Sequence, residues 1–324
     1  MKRSLTECSA AADSGTSMTF GDARELLREM KLNSVALVVT SPPYPMIRMW
    51  DDLFHMMDNS IALSDDMSSP IEMFEKMHVQ LDIVWRDLFR LLIPGGIAAI
   101  NVGDATRSFN GVFQLFPNAA RVTTAMLKAG FLALPNIYWK KQTNKPNSFL
   151  GSGMLPTNGY VTVDCEHILL FRKGSLRKFL PKDPIRVSSS FSQEERNKWF
   201  TQIWEGIPGV RQAAASSAPD QKKRTGAFPA EIPSRLIRMF SVRGDTVLDP
   251  FAGTGTTVTV ARDLGRVGIG FEIQKLIQVN FFFKVKIEHR AFVRAANTGP
   301  FSRDYGFPFF LRYSVCHAAP QSAT

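Results

Sequence analysis

The sequence predicts an α/β protein: a mostly parallel sheet with helices on both faces. Three observations point there. Short apolar runs such as Val35-Ala36-Leu37-Val38-Val39 and Thr246-Val247-Leu248 alternate with longer stretches of helical period. Two of these runs end in loops of distinctive composition, Thr40-Ser41-Pro42-Pro43-Tyr44 and Asp249-Pro250-Phe251-Ala252-Gly253-Thr254-Gly255-Thr256-Thr257. The second loop leads into a helical stretch and a further apolar run, which makes one β-loop-α-β unit. In open sheets of this kind ligands bind where strands give way to loops.

The elements follow in order. Residues 1–17, rich in Ser, Ala and Thr, read as a loose tail. Residues 19–20 form a short strand that turns at Gly21-Asp22, and 23–30 place Leu26, Leu27 and Met30 on one helical face. The strand 35–39 follows. Residues 45–70, with scattered Met, Asp and Ser, read as an exposed excursion. From 71 to 92, Phe74, Met77, Leu81, Val84, Leu88 and Leu91 fall on one stripe, a strong amphipathic helix stopped by Pro94-Gly95-Gly96. Strand 97–102 ends at Gly103-Asp104. A helix over 117–129 closes at Gly130, and strands follow at 132–139 and 167–171.

Residues 172–225 break the pattern. They hold twelve Lys/Arg against five Asp/Glu, two serine runs and scattered aromatics, and read as a small inserted recognition region. Regular structure resumes with a helix over 232–240, the strand 246–248, a helix over 256–264 and a strand over 267–271. Past Glu272 the helical pattern is muddled. Residues 276–324 read as an atypical segment, from ordinary divergence or from an altered reading frame near residue 275.

Charge and cysteines narrow the function classes. The 324 residues carry a formal charge of +10, which suits a polyanionic partner. Cys8, Cys165 and Cys316 lie far apart with no paired spacing, so neither a zinc site nor a disulfide framework is expected. Met1-Lys2-Arg3 is followed by polar residues instead of an apolar core, and no apolar stretch is long enough to span a bilayer. The expectation is a cytoplasmic protein with no membrane association.

The two loops carry the chemistry. Gly253 and Gly255 permit tight backbone geometry and close approach to a ligand, and Thr256 opens a helix whose free N–H groups favour an electron-rich partner. Glu272, about twenty residues on, is placed to accept hydrogen bonds from ribose hydroxyls. Val258 stands where a dinucleotide fingerprint has its third glycine, and no Gly-Lys-Ser/Thr is present, so both common phosphate loops fail. In the earlier loop, Pro42 and Pro43 fix φ and remove two N–H donors, leaving carbonyls free to face a substrate. Ser41 adds an acceptor, and Tyr44 an aromatic face on which a base can stack. An exocyclic amine needs acceptors on its hydrogens so that its lone pair turns toward an electrophile. His167, Trp139 and Trp204 read as packing residues.

Together these strings resemble the DNA amino-methyltransferases, in the circularly permuted group where the catalytic half precedes the cofactor half. The resemblance covers roughly residues 18–275 and includes Leu92-Ile93-Pro94-Gly95-Gly96, Tyr138-Trp139-Lys140-Lys141 and Glu166-His167-Ile168-Leu169-Leu170-Phe171. It implies a Rossmann-like, S-adenosylmethionine (AdoMet)-dependent methyltransferase fold over 18–275, with 172–225 as a DNA target-recognition insert. Asp249, Phe251, Gly253 and Gly255 are expected around the methionine end of AdoMet, Glu272 at its ribose, and Thr256 among the cofactor-binding residues. Asp22 is expected to face the adenine or to act as a plain helix N-cap. The segment Thr225-Gly226-Ala227-Phe228-Pro229-Ala230 is expected to line the pocket. Ser41, Pro42, Pro43 and Tyr44 are the expected catalytic set, and Lys140 and Lys141 either reach phosphates or are solvated.

The Ser-Pro-Pro-Tyr form is typical of cytosine-N4 enzymes, which implies methylation of a flipped cytosine in duplex DNA. A partner restriction endonuclease acting on the same site is implied by the family alone. Cytosine-C5 chemistry is disfavoured, since none of the cysteines follows a proline. The alternatives are an adenine-N6 enzyme of the same fold and a DNA-binding homologue with impaired catalysis.

Overall fold

The structure is a computed structural model that describes residues 15–61, 69–141, 159–209 and 228–273. It opens with β1 (Ser17–Phe20), α1 (Ala23–Glu29), β2 (Val35–Thr40), a 3-10 turn (Arg48–Trp50) and α2 (Asp51–Met57). The long helix α3 (Pro70–Leu91) leads directly into β3 (Leu92–Val102), the hairpin β4 (Ala105–Phe109) and β5 (Val112–Phe116), and α4 (Asn118–Lys128). Then come β6 (Leu132–Ala133), β7 (Ile137–Lys140), β8 (Cys165–Arg172), α5 (Pro184–Val187), α6 (Gln193–Trp199) and β9 (Ile203–Trp204). The described chain closes with α7 (Glu231–Phe240), β10 (Thr246–Asp249), α8 (Thr256–Asp263) and β11 (Val267–Glu272).

The main sheet runs β1-β11-β10-β2-β3-β8-β7-β9, with β6 beside β8. From β1 to β3 all neighbours are parallel, and β8 is antiparallel to β3, β6 and β7. Every residue of β2 is buried. A strand covered on both faces is the reason Val35–Thr40 reads as a continuous apolar run. Side chains along β3 alternate between the two faces. Ala98, Ile100 and Val102 join α1, α3 and α4 in one core, while Ile97 and Ala99 join α7 in the other.

Local chemistry sets the helix ends. Asp22 caps α1 by accepting from Arg24 N at 2.8 Å, and Ser69 caps α3, whose first residue is Pro70. Ser192 and Glu195 form a reciprocal capping box on α6. β11 needs glycine: a Cβ at Gly268 would sit 2.5 Å from the Val258 carbonyl oxygen, so α8 could not lie as close to the strand.

Several sequence expectations change. Residues 45–61 are no exposed excursion. Met46, Leu53, Phe54 and Ile61 are buried in the core, because the 3-10 turn and α2 close over α3; residues 62–68 lie outside the described set. Pro94-Gly95-Gly96 does not stop α3. The helix ends at Leu91 and the three residues form an irregularity inside β3, where Val35 pairs with Leu92 and Leu37 with Ile97. The single strand expected over 132–139 is two short ones around Pro135, which has no N–H to give a ladder. The hairpin β4–β5, turning at Asn110 (φ 48°) and Gly111 (φ 77°), has no counterpart among the sequence expectations. Ser17 already belongs to β1, so the tail ends earlier than 17; residues 1–14 and 274–324 lie outside the described set.

The basic segment also divides. Residues 173–190 cross the end of the sheet where the parallel strands begin. Lys173 exchanges backbone hydrogen bonds with Gly95 and Gly96, Arg177 pairs with Asp245 at 2.6 Å, and Arg243 N donates to Ser189 Oγ. Trp199 and Trp204 are buried between α7 and the sheet, and Arg238 grips Glu195 with two bonds of 2.6 and 2.9 Å. β9 joins the main sheet beside β7. The described part is therefore integral to the domain, because its aromatics complete the second core; residues 210–225 lie outside the described set. Among the described residues no helix is long and apolar enough to cross a membrane.

Candidate active site

The two loops meet because the strands that carry them are neighbours. β10 and β2 pair in parallel, Val247 against Leu37 and Leu248 against Val38, so Asp249 and Thr40 end side by side. Thr40 Oγ1 donates to Asp249 Oδ1 at 2.7 Å, with both residues buried. This hydrogen bond ties the root of the Ser-Pro-Pro-Tyr loop to the root of the glycine loop. One cavity follows from that, lined by Ser41 and Pro43 on one side and by Asp249, Phe251, Gly253, Thr256 and Glu272 on the other. Asp22 and Phe228 line it as well.

Glu272 gathers the cofactor side. Its Oε2 accepts from Gly253 N at 2.9 Å, and its carbonyl accepts from Gly21 N at 2.9 Å. The end of β11, the turn after β1 and the glycine loop are held at one point. Gly253 and Gly255 have φ of 54° and 79°, a backbone region that side chains with a Cβ disfavour. Gly255 does not line the cavity; it turns the chain into α8 as that helix's N-cap. Burial pushes the Asp249 carboxyl up to about 6, against the hydrogen bond from Thr40 and in concert with the Glu272 charge.

At the far end of the cavity Asp22 is both a cap and a wall. Its carboxylate accepts from the Arg24 guanidinium at 2.6 Å, and Arg24 Nη1 reaches Gln80 Oε1 at 2.7 Å. Burial works to raise the Asp22 carboxyl, but the hydrogen bonds and charge of Arg24 outweigh it and hold it below its ordinary value. Sequence reading missed much of this end. Trp50, Leu53 and Met57 come from the supposed excursion, and Gln80, Leu81 and Val84 from α3. Gln80, a buried polar residue on the apolar stripe, was the one available signal.

The base loop is held from behind. Asn118 Nδ2 donates to the carbonyls of Pro45 and Gly103, both at 3.1 Å, and Asn118 Oδ1 accepts from His78 Nε2 at 2.9 Å. Burial pushes His78 down to about 3, so its ring is neutral. Met46, just after the loop, has φ 68°, a position uncommon for a residue with a side chain. Pro42 and Tyr44 are buried and do not line the cavity. Tyr44 is 6% exposed, so the expected open stacking face is not there. The physical reason is its hydroxyl, which on burial needs partners and finds Ser41 Oγ at 3.0 Å, Glu166 Oε2 at 3.1 Å and Asn101 Nδ2 at 2.9 Å. Burial first, and then the Glu166 charge, push that hydroxyl well above its ordinary value. Lys141 pairs with Glu166 and so is not a free phosphate contact, whereas Lys140 is half-exposed and pairs with Glu205 at 3.3 Å. Trp139 and Trp204 are packing residues, their indole N–H groups donating to the carbonyls of Ile207 and Trp199.

An open α/β sheet with this strand order and an acidic residue ending the strand after the glycine loop defines a class, the Rossmann-like AdoMet-dependent methyltransferases. The profile of a DNA methylase family matches residues 35–279. The chain belongs to that family. It is 52% identical over 282 residues to the type II methyltransferase M.MjaI of Methanocaldococcus jannaschii, covering 84% of this chain and 91% of that one. It is 41% identical over 303 residues to the type II methyltransferase M.MthZI of Methanothermobacter thermautotrophicus, covering 88% and 85%. Among solved structures it is similar to TTHA0409 of Thermus thermophilus complexed with S-adenosyl-L-methionine, with a TM-score of 0.66 and 34% identity, covering 84% of this chain and 95% of that one. The cytosine-N4-specific PvuII DNA methyltransferase shares the fold, with a TM-score of 0.57 and 22% identity, covering 83% and 86%.

Proposed function

We propose that this protein is a type II modification enzyme that moves a methyl group from AdoMet to the exocyclic N4 of a cytosine flipped out of duplex DNA. It belongs to the permuted group in which the base loop precedes the glycine loop. The observation that carries the reading is the single cavity with Ser41 and Pro43 on one wall and Gly253 and Glu272 on the other, fixed by the Thr40–Asp249 hydrogen bond. The chain's residues fit AdoMet. Left-handed Gly253 brings backbone to the cavity wall, Glu272 presents a carboxylate for ribose hydroxyls, and Trp50, Leu53 and Phe251 offer apolar walls to a purine. When bound, AdoMet supplies a methyl made electrophilic by its sulfonium.

The rest falls to the chain. Ser41 Oγ, the acceptor of the base loop that lines the cavity, accepts an amine hydrogen and turns the nitrogen lone pair toward the methyl. Orientation of the two reactants supplies much of the acceleration. Tyr44 holds Ser41 from behind in place of the stacking role its sequence position implied. The duplex approaches the end of the sheet where the parallel strands finish, because the cavity opens there. Unpairing the base costs a few kcal/mol. A restriction endonuclease of the same specificity is the expected partner, and the cytoplasm the expected compartment.

Incubation with unmodified bacteriophage DNA and tritiated-methyl AdoMet, followed by nucleoside analysis, tests the reading. N4-methylcytosine is the expected product. N6-methyladenine overturns the choice of base, and absence of transfer with retained DNA binding identifies an impaired homologue. Ser41→Ala is expected to lower turnover about a hundredfold or more while leaving AdoMet binding by calorimetry unchanged.

A further inference from the structure

Behind Ser41 lies a closed set of polar groups. Tyr44 OH stands 3.0 Å from Ser41 Oγ and 3.1 Å from Glu166 Oε2. Asn101 Nδ2 donates to Tyr44 OH at 2.9 Å and to Glu166 Oε2 at 2.6 Å. Lys141 Nζ holds the other carboxylate oxygen. Burial and the Glu166 charge keep the Tyr44 hydroxyl protonated. That one proton has two acceptors within reach, and the carboxylate of Glu166, held by Lys141, is the stronger.

Counting hydrogens then settles the direction. Tyr44 donates to Glu166, and its two lone pairs accept from Asn101 and from Ser41. Ser41 has spent its only proton on Tyr44, so what its oxygen offers the cavity is lone pairs. A second observation agrees. Among the described residues, buried Asn101 Oδ1 has no hydrogen-bond partner. Leaving a buried carbonyl unmet costs about 1–3 kcal/mol. Turning the amide over would relieve it only by setting an oxygen against Glu166.

We propose that Glu166, acting through Tyr44 and Asn101, is a positioning residue that keeps the Ser41 proton turned away from the substrate, so that Ser41 meets the target amine as an acceptor only. This rests on the reading of Ser41 given under Proposed function. An amine presents hydrogens, so a Ser41 hydroxyl pointing into the cavity would set hydrogen against hydrogen and leave the nitrogen misdirected.

The test uses the full chain, unmodified bacteriophage DNA and tritiated-methyl AdoMet, with calorimetry and Tm measured alongside. In Glu166→Gln, Lys141 retains the amide oxygen and the amide N–H groups face Tyr44, which drives the phenol proton onto Ser41. The expected result is a fall in kcat of about tenfold or more, with AdoMet affinity and Tm little changed. Glu166→Gln/Lys141→Met releases the amide to turn its oxygen back toward Tyr44, and is expected to be faster than Glu166→Gln alone. Tyr44→Phe removes the acceptor for the Ser41 proton and is expected to lower kcat similarly. Adding Glu166→Gln to it should cost little more. Wild-type kcat in Glu166→Gln, a loss confined to KM for DNA, or a double variant slower than Glu166→Gln overturns the proposal. If Glu166→Gln does not fold, wild-type kcat in Tyr44→Phe overturns it. A wild-type enzyme that transfers no methyl defeats the reading under Proposed function, whereas an active wild type with an unaffected Glu166→Gln defeats this inference alone.

Discussion

Asp249 shows how one buried carboxyl serves a site at a cost to the fold. Its value of about 6 lies above the ordinary 3.8. The folded chain therefore keeps this proton longer than the unfolded one, and stability is lost as pH rises from 3.8 to about 6. Above that window the ionised group costs about 3 kcal/mol. Asp22 and Glu195 are shifted the other way, and their contribution is lost as pH falls. The difference between variant and wild type isolates Asp249. Asp249→Asn is expected to raise Tm relative to wild type more at pH 7.5 than at pH 4.5, by differential scanning calorimetry, while weakening AdoMet binding. At this scale the sequence was most legible for backbone geometry and cavity lining, as at Gly253 with its φ of 54° and at Ser41 on the cavity wall. It misjudged Tyr44, because a Pro-Pro-Tyr string says nothing of the Asn101 and Glu166 side chains that fold against the hydroxyl from distant strands.

At the scale of elements, helices with a clean apolar stripe were legible almost to their ends, α3 above all. The segment after the base loop was not. Its apolar residues, Met46, Leu53, Phe54 and Ile61, have no sustained period, since a 3-10 turn and a two-turn helix are too short to show one. Yet that segment forms a wall of the cavity and is fixed by a buried ion pair, Arg107 Nη1 to Asp51 Oδ2 at 2.9 Å, which also anchors the hairpin β4–β5. Arg107→Leu leaves the Asp51 charge buried without this partner. The expected loss is about 3–5 kcal/mol in urea unfolding, with AdoMet affinity falling as well because Trp50, Leu53 and Met57 are displaced. Asn118→Ala removes the donor that holds the Pro45 and Gly103 carbonyls. Its expected signature is a lower kcat with AdoMet affinity kept, read by the same transfer assay and calorimetry.

For the whole molecule, the charge excess pointed to a polyanion but not to the face that meets it. The basic residues of 173–190 lie at the end of the sheet opposite the cavity, since β8 runs against its neighbours and delivers the chain there. Lys178→Gln/Lys182→Gln/Arg186→Gln is therefore expected to leave KM for DNA and its salt dependence close to wild type. A large rise in KM would place the duplex on that end. Strand order likewise lay beyond sequence: alternation of strands and helices specifies a parallel sheet, but the meeting of the two motifs depends on β10 and β2 being neighbours.

That adjacency acts as a ruler. The roots of the two loops are spaced by the gap between bonded strands, about 4.8 Å, a distance set by backbone geometry and indifferent to what is attached beyond the strand tips. Connections at that end are free to lengthen, shorten or be exchanged while the roots of the two loops stay in register.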